Sequence, residues 1–107
     1  MKTIEKKIKD LYFQSIKRGT KKYEFRLADF SLGSYDKLIL VNEKTKEEIK
    51  FNIKDFRYIL GQDLQENGIA KNGYIHLIET LMEFYDKVDI FKFGAYIIEI
   101  PDKEEFL

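Results

Sequence analysis

The chain has 107 residues, of which 44% are hydrophobic and 15% aromatic. This length and apolar content predict a single domain over residues 1–107 with one hydrophobic core. The longest apolar runs, such as 38–41, span four residues, so we expect neither a membrane span nor a signal peptide. The absence of cysteine excludes a disulfide, a thiolate zinc site and a cysteine nucleophile, and makes a cytoplasmic location the default expectation.

The charges sum to zero, which argues against a general polyanion binder. Their distribution is uneven, because residues 1–26 hold nine Lys/Arg against three Asp/Glu, whereas residues 79–107 hold three against eight. The basic third predicts one localised face that attracts anions. The alternative is that the oppositely charged thirds pair with each other across the fold.

The N-terminal third predicts a strand, a helix and a second strand. Residues 3–8 fit a short edge strand, and Asp10 can cap a helix over 11–18 that ends at Gly19, since glycine takes the left-handed conformation readily. Residues 22–27 alternate between charged and apolar types, the pattern of a half-buried strand. The side expected to face the core carries Tyr23, Phe25 and Leu27. The other side faces either solvent or a cleft and carries Lys22, Glu24 and Arg26.

The rest of the chain predicts a hairpin, a long loop, a helix and a last strand. A buried strand over 37–42 and a polar turn at 43–46 lead to an alternating strand from residue 47 that can run on to Tyr58. Residues 60–73 form a loop with at most a short helical turn. The spacing of apolar residues then predicts one helix over 74–88. Residues 93–100 form the closing strand, ended by Pro101.

Short strands joined by tight turns, together with two main helices, suggest an α+β fold: a small closed or half-closed β-barrel of about five to six strands covered by helices. No P-loop, dinucleotide fingerprint or Ser/His/Asp arrangement is present in the sequence, so we expect no cofactor. His76 has no second His or Cys to share a metal, so we expect a surface histidine and no metal site. The oligomeric state is not indicated.

The octapeptide 19–26, Gly-Thr-Lys-Lys-Tyr-Glu-Phe-Arg, carries a family pattern. It resembles the Gly-x-Lys-x-x-Glu-x-Arg signature of ASCH domains, and it follows a short helix and opens a strand, as in that family. The segment from Phe84 to Ile98 is similar to the family's closing helix, glycine turn and last strand. One departure is Tyr35-Asp36, where the family usually has Gly-Asp. The resemblance implies a PUA-like β-barrel that binds RNA or a nucleotide, with small amidohydrolases and nuclease-like members in some branches.

The motif places three charged side chains where they can share a cleft. Glu24 and Arg26 are two residues apart on one strand face, about 7 Å along the chain, so Arg26 can orient the carboxylate. Lys21 stands at the mouth of the strand, after Gly19, and can reach the same pocket. Such a set could hold a phosphate or a base edge, or move a proton beside a polarised carbonyl. The alternative is a solvated strand face with exposed ion pairs.

The residues around the motif have two interpretations. Lys17, Arg18 and Lys22 could contact the phosphates of a longer RNA, or they could be cations that stabilise a helix C-terminus. Among the aromatic residues, stacking on a base is possible for Tyr12, Tyr58 or Tyr96. Core packing is the alternative for each of them.

Three functions are compatible with this pattern. The first is an RNA- or nucleotide-binding module that uses Gly19, Lys21, Glu24 and Arg26. The second is a hydrolase of RNA or a modified nucleoside in which Lys21 and Glu24 are catalytic, although Glu24 stands where the amidohydrolase branch has its threonine. The third is a regulatory interaction domain with a vestigial cleft.

Overall fold

The computed structural model describes residues 2–66 and 75–107. In this part of the chain the fold is α+β, with six strands in two three-stranded sheets and four short helices. In chain order the elements are β1 (Thr3–Ile8), α1 (Asp10–Lys17), β2 (Tyr23–Leu27), β3 (Lys37–Asn42), β4 (Glu48–Asn52), β5 (Phe56–Ile59), α2 (Gly61–Glu66), α3 (Ile75–Leu81), α4 (Lys87–Phe93) and β6 (Ala95–Glu99). Short 3₁₀ turns add Leu32–Ser34 and Lys103–Glu105.

The chain divides into two compact units. The first takes its residues from three stretches, 1–24, 32–55 and 99–107. The second takes its residues from two stretches, 25–31 and 56–98. The closed barrel and the single domain therefore stay predictions, whereas the α+β class is confirmed. No helix in residues 2–66 and 75–107 has the length and apolar character that crossing a bilayer requires.

The sheet of the first unit has the order β1-β3-β4, with β1 parallel and β4 antiparallel to β3. The predicted edge position of β1 is confirmed. Side chains alternate between buried and accessible along β3 and β4, because successive residues of a strand point to opposite faces. The buried side chains on these two strands are Leu38, Leu40, Asn42, Ile49 and Phe51.

Asn42 is a buried polar residue whose hydrogen bonds fix the turn between β3 and β4. Its side-chain oxygen accepts the N–H groups of Lys44 at 2.9 Å and Thr45 at 3.3 Å, while its amide donates to Asp10 Oδ1 at 2.8 Å. Gln14 donates to the same carboxylate oxygen at 3.0 Å. The hydrogen bond from Asn42, then that from Gln14, lowers the pKa of Asp10, because both favour its charged form.

The start of α1 differs from its prediction. Lys9, not Asp10, is the residue before the helix, with an extended backbone at φ −68° and ψ 146°. Asp10 is the first helical residue, and its carboxylate is used for the side-chain bonds just described. The helix buries Phe13 and Ile16, which are each 1% exposed.

The second unit contains the sheet β2-β6-β5, to which β2 contributes its residues from Phe25 onward. β5 and β6 are antiparallel, and residues of α2, α3 and α4 complete the core with them. The buried members of this core are Leu27, Ile59, Leu64, Leu77, Ile78, Leu81, Ile90 and Ala95. Gly94 lies between α4 and β6 with φ 82°, and a Cβ there would collide with the carbonyl oxygen of Ile59. Glycine is therefore required at this turn.

The prediction of one helix over residues 74–88 is wrong. α3 ends at Leu81 and α4 begins at Lys87, after an extended Asp86 at φ −72° and ψ 146°. Spacing alone could not reveal the break, because Tyr85, which lies between the two helices, still packs on the core. Val88, the last residue of the predicted apolar stripe, is 76% exposed. Tyr74 lies outside the described residues.

Two other predicted boundaries are corrected. The strand starting at residue 47 does not run on to Tyr58, because β4 ends at Asn52 and β5 belongs to the other sheet. The closing strand begins at Ala95, since Phe93 is still helical. The predicted short helical turn in the loop is α2, and residues 67–73 of that loop lie outside the described residues.

Candidate nucleotide site

The end of α1 places the first residues of the motif. Gly19 has φ 79°, and the N–H groups of Gly19 and Thr20 donate to the carbonyls of Ile16 and Ser15, each at 3.0 Å. These two bonds are the Schellman pattern that ends a helix at a glycine. The N–H of Lys21 also donates to Ser15 O at 3.2 Å. The predicted helix stop is confirmed, and it fixes the backbone from which Lys21 extends.

Lys21 and Glu24 form an ion pair with little access to water. The distance from Lys21 Nζ to Glu24 Oε1 is 3.6 Å, and the two side chains are 16% and 7% exposed. The ammonium group also lies 5.2 Å from the centre of the Tyr12 ring, within the range of a cation–π interaction. Charged residues are seldom buried unless they are paired, so this pair makes the burial of Glu24 possible.

The burial of Glu24 corrects the predicted faces of β2. Measured over the whole residue, Tyr23 is 52% exposed, although the alternation predicts that it faces the core. Glu24, measured in the same way, is 5% exposed. Phe25 and Leu27 do pack into the core of the second unit.

Lys21 lines a cavity of about 300 Å³ in the first unit. One wall is the turn after α1, with Gly19, Lys21 and Lys22. The other wall is the C-terminal segment that follows β6, where Ile100 donates its N–H to Lys22 O at 2.9 Å. The residues of this second wall are Ile100, Pro101, Asp102, Lys103, Glu104 and Phe106.

This second wall was not predicted from the sequence. The only role predicted for Pro101 was to end the last strand. The residues of this wall were not predicted to lie near the motif, because they are about 80 positions away from it in the sequence. Two acidic residues of this wall, Asp102 and Glu104, line the same cavity as Lys21 and Lys22. The cavity therefore mixes residues of the basic and acidic thirds and is not purely cationic.

The remaining predicted site residues lie elsewhere. Lys17 forms an exposed ion pair with Glu47 at 3.2 Å. Arg18 is exposed, and its guanidinium donates to Ser15 Oγ at 3.4 Å. Arg26 belongs to the second unit and is half-buried. The structure thus brings together Gly19, Lys21 and Lys22 at the cavity and Glu24 beside Lys21, while the predicted role of Arg26 stays a prediction.

The aromatic residues considered for stacking on a base differ in burial. Tyr96 is 9% exposed, and its hydroxyl donates to the carbonyl of Phe30 at 2.7 Å, so it is a core residue. Tyr58 is 49% exposed and donates to the carbonyl of Phe93 at 3.2 Å. His76 is exposed, as predicted, and its ring makes an edge contact with Phe25. Within residues 2–66 and 75–107 there is no cluster of three or more His, Cys, Asp or Glu that could hold a metal ion.

Comparison with known proteins identifies the family. The family model described as "ASCH domain" matches residues 7–103, which is nearly the whole chain. This chain therefore belongs to the ASCH domain family.

Solved structures with the same fold are also known. The crystal structure of hypothetical protein PH0355 is 28% identical with a TM-score of 0.61, and the match covers 100% of each chain. The solution NMR structure of protein PF0455 from Pyrococcus furiosus is 24% identical with a TM-score of 0.55, covering 95% of this chain and 98% of that one. The second likeness supports the fold alone. No curated protein matches the chain.

Proposed function

We propose that this ASCH domain binds single-stranded RNA or a nucleotide in the cavity lined by Gly19, Lys21 and Lys22. The observation that carries the proposal is the buried ion pair between Lys21 and Glu24 at the wall of that cavity. Replacing a buried ion pair with well-packed apolar residues is often neutral or stabilising, so stability alone is a weak reason for having one. The pair instead holds an ammonium group in a fixed position beside a cavity.

The other lining groups fit the parts of a nucleotide. Lys21, Lys22 and Lys103 supply cations for a phosphate, while the carboxylates of Asp102 and Glu104 can accept hydrogen bonds from ribose hydroxyls or base amino groups. Ile100, Pro101 and Phe106 add apolar surface for a base. Because cations and carboxylates nearly balance, we expect only a few phosphate contacts and a correspondingly shallow salt dependence.

The test is a chemical-shift titration of ¹⁵N-labelled protein with the four nucleoside 5′-monophosphates and a short single-stranded RNA. The expected result is a set of shifts concentrated at residues 19–24 and 100–106. Each phosphate contacted by a lysine should contribute a slope of about −0.7 in log K against log salt. Binding should be lost in Lys21→Met.

Two further variants keep the test independent of folding. Lys21→Met/Glu24→Gln removes both charges of the pair and should fold while still failing to bind. Lys50→Met is the matched control, because Lys50 is also ion-paired, with Glu48 at 3.9 Å, and lies in the same unit outside the cavity. If no nucleotide and no RNA shifts residues 19–24, the binding proposal is wrong and an interaction domain with a vestigial cleft becomes the better hypothesis.

The same ion pair favours a second candidate function, hydrolysis of RNA or of a modified nucleoside. A carboxylate held beside an ammonium group is an arrangement that can move protons during hydrolysis. Lys21 lines the cavity, whereas Glu24 is not among its lining residues, so binding remains the first candidate. Turnover of RNA or acetylcytidine that disappears in both Lys21→Met and Glu24→Gln would select the enzyme. Binding without turnover would select the binding module.

A further inference from the structure

A second cavity adjoins the first, and the two share a wall. It has a volume of about 340 Å³, and α1 contributes Phe13 and Lys17 to it while β4 contributes Ile49. Lys103 and Phe106 line both cavities. One basic and one aromatic residue of the C-terminal segment are therefore common to the two cavities. The volume of each cavity is near the lower end of the usual range for small-molecule sites, about 300–1,000 Å³.

We propose that the two cavities are neighbouring subsites for single-stranded RNA, so that the ligand is a chain of at least two nucleotides. This inference rests on the proposed function of the first cavity. The first subsite takes one nucleotide, the second takes the base of the next, and Phe106 and Lys103 contact the junction between them.

The ring of Phe106 is placed to act as a stacking surface. It is half-buried and packs on Phe51, with ring centres 6.2 Å apart and planes at 29°. The residues on either side of it are anchored, because Leu107 donates its N–H to Lys50 O at 2.8 Å and Glu105 pairs with Lys54. A ring held in this way can stack on a base without first being ordered, which favours single-strand binding.

Lys103 supplies a cation where the two subsites meet. Its side chain extends to the first cavity's opposite wall, since a Cβ added to Gly19 would lie 3.9 Å from Lys103 Cε. The same residue lines the second cavity. A phosphodiester between two nucleotides carries one negative charge, so a single shared lysine matches it.

The composition of the second cavity favours a base over a free phosphate. Lys17 and Lys103 are balanced there by Glu47 and Glu48, and Lys17 is already paired with Glu47. A phosphate would gain little from this balanced set. A neutral base would instead bury against Phe13, Ile49 and Phe106, while a glutamate could accept a hydrogen bond from its amino group.

The experiment compares 5′-AMP with the dinucleotide ApA by chemical-shift titration at fixed salt. ApA carries one phosphodiester charge and AMP one phosphate group, so a gain in affinity for ApA cannot come from added charge. We expect ApA to bind at least about tenfold more tightly, which is within the range for stacking one more base. ApA, but not AMP, should shift the amides of Phe13, Lys17 and Ile49. Phe106→Leu should remove most of the gain, and Lys50→Met should leave it unchanged.

The outcomes separate the two proposals. If AMP shifts residues 19–24 while ApA binds no more tightly and leaves Phe13, Lys17 and Ile49 unmoved, the second subsite is refuted and the proposed function stands. If neither AMP, ApA nor a longer RNA shifts residues 19–24, the proposed function fails, and the second subsite fails with it. A short peptide that shifts the second cavity's residues when ApA does not would also refute the subsite, because its ligand would then be protein.

Discussion

Two of the Lys–Glu ion pairs in the first unit, Lys17–Glu47 and Lys21–Glu24, differ in their surroundings. Lys17 and Glu47 approach to 3.2 Å, but their side chains are 48% and 49% exposed. Lys21 and Glu24 are farther apart, at 3.6 Å, yet only 16% and 7% exposed. The shorter pair is surrounded by water, whereas the longer pair is largely enclosed by protein.

We expect burial, more than distance, to decide which pair contributes more to stability. Water and salt screen an exposed pair, and holding two long side chains in place costs entropy that offsets its Coulomb energy. A buried pair is screened less, and either member becomes costly if the other is removed. Mutations at these two pairs and at the residues around them test the contrast.

The largest effect is expected from removing the lysine of the buried pair. Lys21→Met leaves the Glu24 carboxylate buried without its ammonium partner, and this should lower the free energy of unfolding by about 3 kcal/mol. Urea denaturation followed by circular dichroism measures the change.

Two control variants accompany this measurement. Lys21→Met/Glu24→Gln should recover most of the loss, since the buried side chain at position 24 is then neutral. Lys17→Met removes the exposed pair's lysine from α1 and should change stability by less than about 0.5 kcal/mol. Equal losses in Lys21→Met and Lys17→Met would contradict the claim that burial separates the two pairs.

A smaller effect is expected at the glycine before the buried pair. Gly19→Ala places a Cβ on a residue with φ 79°, which should cost about 1–2 kcal/mol. Because the Gly19 turn positions Lys21, nucleotide binding should weaken as well. Gly33→Ala is the matched control: Gly33 is exposed within a 3₁₀ turn and has no positive φ. Similar stability in both variants would mean that the left-handed turn is not needed.

The proximity of Lys21 and Glu24 could be predicted from the sequence because local rules determine it. A glycine that stops a helix and a strand that begins soon afterwards place Lys21 and Glu24 close together, and their 3.6 Å pair is consistent with this expectation. The depth of Glu24 could not be predicted, because alternation describes two faces without saying which is buried. Hydrophobicity predicted the packing of Phe25 and Leu27 correctly, but it was wrong for Tyr23, which is exposed.

The C-terminal wall of the cavity is not indicated by any sequence pattern near the motif. The hydrogen bond between Ile100 N–H and Lys22 O brings the C-terminal segment to the motif, and no periodicity within either segment encodes that pairing. The break between α3 and α4 is similar, because apolar spacing continues through the extended Asp86. Strand β3 was predicted with its observed bounds, since its pattern and its turn agree with each other.

Acid should weaken a third electrostatic contact of the same unit. The lowered pKa of Asp10 means that the folded state binds this proton less readily than the unfolded chain, whose ordinary value is 3.8. The contribution of Asp10 to stability is therefore complete above that value and is lost as pH falls through the lowered pKa. Asp10→Asn should flatten the acid limb of a stability profile measured by urea titration below pH 5. An acid limb that is as steep in Asp10→Asn as in the unmodified protein would contradict the assignment.

The smallest effect is expected from the interaction between Lys17 and Glu47. A double-mutant cycle of Lys17→Met and Glu47→Gln should give a coupling energy of about 0.2–1 kcal/mol that decreases from 50 mM to 1 M salt. The same cycle on Lys21 and Glu24 should give a larger coupling that salt changes little, because water and ions have less access to that pair. Both cycles use the same residue types and the same substitutions, so the charged groups compared are the same while their exposure differs. A coupling at Lys17–Glu47 as large and as salt-resistant as that at Lys21–Glu24 would mean that enclosure does not distinguish the motif's ion pair.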